Sequence, residues 1–178
     1  MFNFTATFIM IKSFYWLVIV SLSLVISSAS ANLKPRVTFI ESLKEPAITD
    51  VIDNVIDRAH ELLGTPYKWG GNSVEQGFDC SSFLVYLFKT EANILIPRTT
   101  AAMHRSKAVT IKRGALKPGD AVFFKGNGRG QVSHVGLYIG EGKFIHSPRT
   151  GKNIRIDSLS NSYWNKNYTT AKRFHTSG

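Results

Sequence analysis

The stretch Gly77-Phe78-Asp79-Cys80-Ser81-Ser82-Phe83-Leu84 holds the one cysteine of the chain and constrains what can form around it. Asp79 has the chemistry of a helix N-cap, because its carboxylate accepts hydrogen bonds from the first free backbone N–H groups. Cys80 is then the first helical residue. Phe83, Leu84, Leu87 and Phe88 follow it at helical spacing and share its face. Phe78 and Phe83 are spaced as a hydrophobic staple, which fixes how the chain enters the helix. The thiol is thus expected at the positive end of a helix dipole, an arrangement that lowers a cysteine pKa. An inert core thiol fits the same local pattern, since free cysteines are among the most buried residues.

Residues Phe14 to Ile26 form an apolar run of 13 residues, preceded by Lys12 and followed by Ser27-Ser28-Ala29-Ser30-Ala31. This is the pattern of a secretory signal peptide over residues 1–31, cleaved after Ala31. The run is short for a membrane span. An uncleaved anchor is the alternative, and a start at Met10 would give a more ordinary leader. No cysteine follows the run, so a lipoprotein is not expected. The expectation is an exported protein, periplasmic or extracellular at the cell wall, and free of the membrane once the leader is removed. Cleavage leaves 147 of the 178 residues, enough for one domain with a real core. Exported proteins usually pair their cysteines. A single thiol cannot pair within the chain, which favours a thiol that is used.

Charge is unevenly spread. Residues 32–94 carry 6 Lys and Arg against 9 Asp and Glu, whereas residues 95–178 carry 15 against 3. A basic half attracts polyanions. Nucleic acid is not expected as the partner, because an exported chain rarely meets it and no nucleic-acid motif is present. The anionic cell envelope is the polyanion that remains, contacted through the basic surface.

Asn32 to Ile48 has two prolines and no period, and reads as an extended arm over residues 32–48. Residues 49–178 form the domain. Thr49 or Asp50 caps a first helix, whose apolar positions are Ile52, Val55, Ile56, Ala59, Leu62 and Leu63. Gly64 and Pro66 stop it. Another short helix starts at Thr99 or Thr100 and runs to about Lys107. Pro118-Gly119 suits the centre of a type II turn. Strands follow at Ala121–Phe124, Ser133–Ile139, Lys143–Ser147, Asn153–Ile156 and Thr169–Phe174, with a glycine-rich loop at residues 126–130. The fold class is α+β.

His134 and His146 fall in successive strands. A nucleophilic thiol needs one imidazole to take its proton and a second polar group to hold that imidazole's tautomer. Gly136, two residues past His134, leaves room beside it. Cys80, His134 and His146 as zinc ligands fit no common spacing, and a fourth ligand is not evident. No metal is expected.

Gly64-Thr65-Pro66-Tyr67, Gly70-Gly71, Gly77-Phe78-Asp79-Cys80-Ser81-Ser82-Phe83, Pro97-Arg98-Thr99, Pro118-Gly119-Asp120, His134-Val135-Gly136-Leu137-Tyr138-Ile139-Gly140 and Phe144-Ile145-His146 occur in this order. Together they resemble the ordered motifs of the NlpC-type peptidoglycan endopeptidases, a family of papain-like cysteine peptidases. The likeness runs from about Asp50 to Phe174. It implies N-terminal helices packed on an antiparallel sheet of about five strands. Cys80 is implied as nucleophile, His134 as base and His146 as the third polar residue. Tyr67 is implied beside the thiol, with Asp79 and Ser81 helping to hold the substrate. The implied substrate is a peptidoglycan stem peptide, cut at γ-D-glutamyl–diaminopimelate or at a nearby cross-link, without metal or organic cofactor. One departure is visible, since a glutamine common after Pro-Arg-Thr in the family is Ala102 or Met103 here. A non-catalytic wall-binding protein of the same fold, or a related acyltransferase or amidase, remains the alternative.

Strand parity adds a geometric expectation. For His146 to orient His134, both must project from one sheet face, expected to be the face towards the Cys80 helix. A two-residue loop at Glu141-Gly142 would put them on opposite faces. The reading is therefore a three-residue loop, Gly140-Glu141-Gly142, or a bulge that restores the same parity.

Overall fold

The computed structural model describes residues 48–126 and 130–175. The leader, nearly all of the arm and the centre of the glycine-rich loop lie outside these residues. Helix α1 spans Ile48–Glu61, so Thr49 and Asp50 are already inside it and neither is the cap. Ile52, Val55, Ala59 and Leu62 are buried along one side of this segment. That side packs against α2, Cys80–Ala92. The chain then passes through two short paired strands, β1 (Asn72–Ser73) and β2 (Gly77–Phe78). Helix α3, Thr100–Arg105, is capped by the side chain of Thr99.

The main sheet is antiparallel throughout and has six strands rather than about five. They are β3 (Val109–Ile111), β4 (Ala121–Lys125), β5 (Val132–Gly140), β6 (Lys143–His146), β7 (Arg155–Ser158) and β8 (Tyr168–Arg173), in the spatial order β3-β8-β4-β5-β6-β7. A last short helix, α4, spans Ser162–Asn167. Both β3 and α4 are additions to the sequence reading. The turn before β4 is as expected: Gly119 has φ +89° and Asp120 N–H returns to Lys117 C=O. Buried Asp120 then takes both Nε and Nη2 of Arg173, which ties this turn to β8.

Side chains alternate cleanly across the sheet. Ala121, Phe123, Val135, Leu137 and Ile145 point to one face, where they join the apolar sides of α1, α2 and α3 in one core. Val122, Phe124, Phe144 and Ala171 point to the other, where Leu159 and Trp164 of the α4 region cover them.

Parity is set at the β5–β6 hairpin. The loop is the two-residue Glu141-Gly142, both residues left-handed at φ 51° and 69°, with Gly140 opposite Lys143. Uncorrected, this loop would send the histidines to opposite faces. A register shift between Tyr138 and Gly140 leaves Tyr138 opposite Phe144 and Leu137 opposite Ile145. The bulge thus restores the parity that the three-residue loop would have given. His134, Gly136 and His146 share a face.

The space beside Gly136 is already filled. A Cβ there would meet Phe144 Cδ2 at 2.6 Å, Ile145 O at 3.2 Å and His146 Cβ at 3.3 Å. Gly136→Ala is therefore expected to lose about 1–3 kcal/mol of stability through overpacking. Its activity should fall further than stability alone accounts for, because His146 must move. Urea unfolding alongside a turnover assay checks both effects.

Candidate active site

The start of α2 is built as its sequence implies. Asp79 Oδ1 accepts from Ser82 N–H at 2.7 Å, and Ser82 Oγ accepts from Asp79 N–H at 2.9 Å, a reciprocal capping box. Phe78 and Phe83 are fully buried, with ring centroids 6.0 Å apart. The entry is fastened to the sheet as well, since Ser147, next after His146, donates its hydroxyl to Phe78 C=O at 2.7 Å. Cys80 is thereby fixed relative to the end of β6. Its Sγ lies 3.6 Å from Thr100 Oγ1 on α3, and the backbone N–H groups of Ser81 and Val135 face the thiol. Val135 is the residue after His134.

Asp79 and Ser81 belong to a network that the sequence did not disclose. Ser81 Oγ donates to Asp79 Oδ1 at 2.9 Å. Arg98 reaches Ser81 Oγ at 3.0 Å, Asp79 Oδ1 at 3.3 Å and Asp79 Oδ2 at 3.0 Å. Ser81 is buried while Arg98 is exposed, so Arg98 offers the rim of the site a guanidinium held in place by an anion. Tyr67 is half-buried, and its phenol lies close enough to Cys80 and Asp79 to feel the charge of either. Where the family pattern has glutamine, Met103 is core and Ala102 donates its N–H to the Thr99 cap.

The two histidines meet directly, with His134 Nε2 2.7 Å from His146 Nδ1. His146 is wholly buried; His134 keeps part of its surface open. Both project from the face covered by Phe124, Phe144 and Trp164, not from the face on which α2 packs. This corrects the expected direction. The parity that turns Val135 and Leu137 into the helical core turns His134 and His146 the other way. The thiol comes to β5 at the tip of its helix, beside the backbone of Val135, instead of across the face. His134 nonetheless has His146 as a hydrogen-bonding partner, and its Nδ1 is left for another group.

A family model for NlpC/P60 matches residues 64–173. The chain belongs to the NlpC/P60 family. It is 48% identical over 122 residues to the murein DD-endopeptidase MepH of Escherichia coli, covering 68% of this chain and 45% of that one. It is 37% identical over 127 residues to a gamma-D-glutamyl-L-lysine dipeptidyl-peptidase of Bacillus cereus, covering 71% and 37%. The crystal structure of an NlpC/P60 family protein from Bacillus cereus superposes with a TM-score of 0.66 at 34% identity, over 74% of this chain and 44% of that one. The chain thus spans less than half the length of each. Among the described residues no helix is long and apolar enough to cross a membrane.

Electrostatics in this NlpC/P60 site differ from the sequence expectation. Burial pushes the Cys80 thiol up, and the neighbouring Asp79 carboxylate adds to the rise, outweighing Thr100 and the N–H groups of Val135 and Ser81. Burial also holds His134 well below the ordinary imidazole value, to about 3, with His146 adding to the fall. Burial thus disfavours the charged forms of the thiol and of both imidazoles. Asp157 is an addition to the predicted set. Burial alone would raise its pKa, but hydrogen bonds from His146 and Arg155 hold it at about 2. The sequence carried one usable signal for it, an acidic residue in a region with only three, immediately after the expected strand Asn153–Ile156.

A depressed histidine pKa has a definite sign. Between about pH 3 and 6.5 the unfolded chain binds a proton at His134 that the folded protein excludes, so stability falls as pH falls through that window. The melting temperature is expected to drop on acidification from pH 7 to 4. Thermal scans should show a smaller drop for His134→Gln.

Proposed function

We propose that this protein is an exported cysteine endopeptidase that hydrolyses amide bonds in peptidoglycan stem peptides. One observation carries the reading: a thiol at a capped helix N-terminus abuts the strand of a histidine whose far nitrogen is bonded to a second histidine. A binding module has no use for that constellation. Cys80 turns from Thr100 and gives its proton to His134 Nδ1, and the thiolate attacks the amide carbonyl. Backbone N–H groups at the start of α2, with the Tyr67 hydroxyl, hold the oxyanion. His134 returns the proton to the leaving amine as the C–N bond breaks. It then deprotonates the water that cleaves the thioester, releasing a carboxylic acid and restoring the thiol. Asp79, Ser81 and Arg98 hold the peptide at the rim.

The bond cut is γ-D-glutamyl–diaminopimelate or a nearby cross-link. The names of the two relatives, a murein DD-endopeptidase and a gamma-D-glutamyl-L-lysine dipeptidyl-peptidase, support a stem-peptide bond of this kind, the second with lysine in place of diaminopimelate. Export rests on the leader pattern of residues 1–31, which leaves the arm and the catalytic domain of residues 49–178 outside the membrane, in the periplasm or at the wall. Attraction to the anionic envelope rests on the excess of 15 basic over 3 acidic residues after residue 94.

Incubation with purified sacculi, followed by mass analysis of the soluble fragments, tests the activity and names the bond. Cys80→Ala is expected to lose at least about 10³-fold in rate with little change in melting temperature; full retained activity rejects the reading. Binding of the Cys80→Ala protein to sacculi should weaken as salt shortens the Debye length from about 10 to about 3 Å. Pelleting assays across that range check it, and salt-insensitive binding would point to contacts with the sugar instead.

A further inference from the structure

His146 does not end the hydrogen-bonded chain. Its Nε2 lies 2.9 Å from Asp157 Oδ2. The same oxygen accepts from Arg155 Nε at 3.1 Å, Arg155 Nη2 at 2.8 Å and Trp164 Nε1 at 2.9 Å. Asp157 stands on β7 opposite Phe144 of β6, and Arg155 stands opposite His146. Both therefore lie on the face that carries the two histidines.

We propose that Asp157 is a positioning residue that sets the tautomers of His146 and His134 in series, leaving the basic lone pair on His134 Nδ1. This rests on the reading of Cys80 as nucleophile and His134 as base. An ionised carboxylate only accepts hydrogen bonds, and the guanidinium and indole that share its oxygen only donate. The His146 nitrogen that faces it must then carry a proton. A neutral imidazole has one N–H, so His146 Nδ1 is a bare acceptor and takes the Nε2–H of His134. His134 is left with its lone pair on Nδ1. The 2.7 Å contact between the rings has no such preference of its own, because a proton on either nitrogen satisfies it. The reverse order would put a proton on His134 Nδ1 and leave Cys80 without a base.

The rings are held against turning over. The Trp164 indole stacks on His134 with centroids 5.4 Å apart at 29°, and meets His146 edge-on at 4.9 Å and 88°. Phe144 lies 4.9 Å from His146. Trp164 therefore orders three groups at once, both imidazoles and the carboxylate beyond them. The other charge facing this chain is Arg155, which keeps Asp157 ionised and so keeps it an acceptor.

The direct test is the position of the protons. In full-length protein carrying Cys80→Ala and ¹⁵N-labelled histidine, NMR at neutral pH should find His134 and His146 both protonated at Nε2 and bare at Nδ1. A proton on Nδ1 of either ring overturns the proposal. Asp157→Asn supplies an amide N–H that can donate to His146 Nε2 and reverse both rings, and on the same background it should convert them to the Nδ1–H form. In protein with Cys80 intact, Asp157→Asn should lower kcat on a soluble stem peptide about 10³- to 10⁴-fold, as amide replacement does where a carboxylate fixes a catalytic histidine. KM and melting temperature should change little, the pH profile of Cys80 alkylation should move upward, and Asp157→Glu should recover part of the rate. Wild-type kcat and alkylation profile in a folded Asp157→Asn protein overturn the proposal. Should that variant fail to fold, the tautomers in the Asp157-containing protein decide alone. Retained hydrolysis by Cys80→Ala would instead reject the nucleophile reading, an outcome the NMR result does not depend on.

Discussion

The contact between His134 Nε2 and His146 Nδ1 is the interaction on which the rest of the site depends, and it depends in turn on strand parity. Residues on adjacent antiparallel strands meet only from the same face, and one residue of slippage separates them by the thickness of the sheet. The hairpin uses a compact two-residue turn that by itself gives the wrong parity. One bulge at Ile139 corrects it. Gly136 completes the arrangement, since the volume any other residue would occupy there belongs to Phe144 and to the Cβ of His146. A turn, a bulge and a glycine thus place two imidazoles within hydrogen-bonding distance.

The site is assembled from two sides of one strand. The helices and their apolar core occupy one face of β5, and the histidines with their aromatic cover occupy the other. The tip of α2 brings the thiol to the backbone of this strand, at the N–H of Val135. Burial on both sides favours uncharged forms, which raises the thiol and lowers the imidazole.

Much of this was legible in the residues. The Asp79 cap, the Phe78–Phe83 staple, the Pro118-Gly119 turn and the β5–β6 hairpin are local devices, written in consecutive positions, and each formed as its chemistry requires. What escaped was decided at a distance. Strand β3 is three residues long and exists because β8 pairs with it, aided by the buried Lys172 amine that bonds Ser106 C=O and Ala108 C=O. Helix α4 is too short to show a period, yet it delivers Trp164 to both histidines. Arg98 and Asp157 join the site through side-chain contacts across 19 and 11 residues, which no local pattern encodes. The direction of the histidines is not legible in the sequence, because parity fixes which residues share a face, not which face the helices take.

The two halves of the site also differ in how far the chain must travel to form them. His134 and His146 are 12 residues apart and are closed by a hairpin, a local contact with a small loop-closure cost. Cys80 lies 54 residues before His134, and its position relies on α2 docking against a sheet that must already exist. In a chain opening from its native state, detachment of α2 parts the Cys80 thiol from β5, while the contact between His134 and His146 is held within the hairpin. The thiol and the two histidines therefore share one place only where the long-range packing of α2 on the sheet is intact.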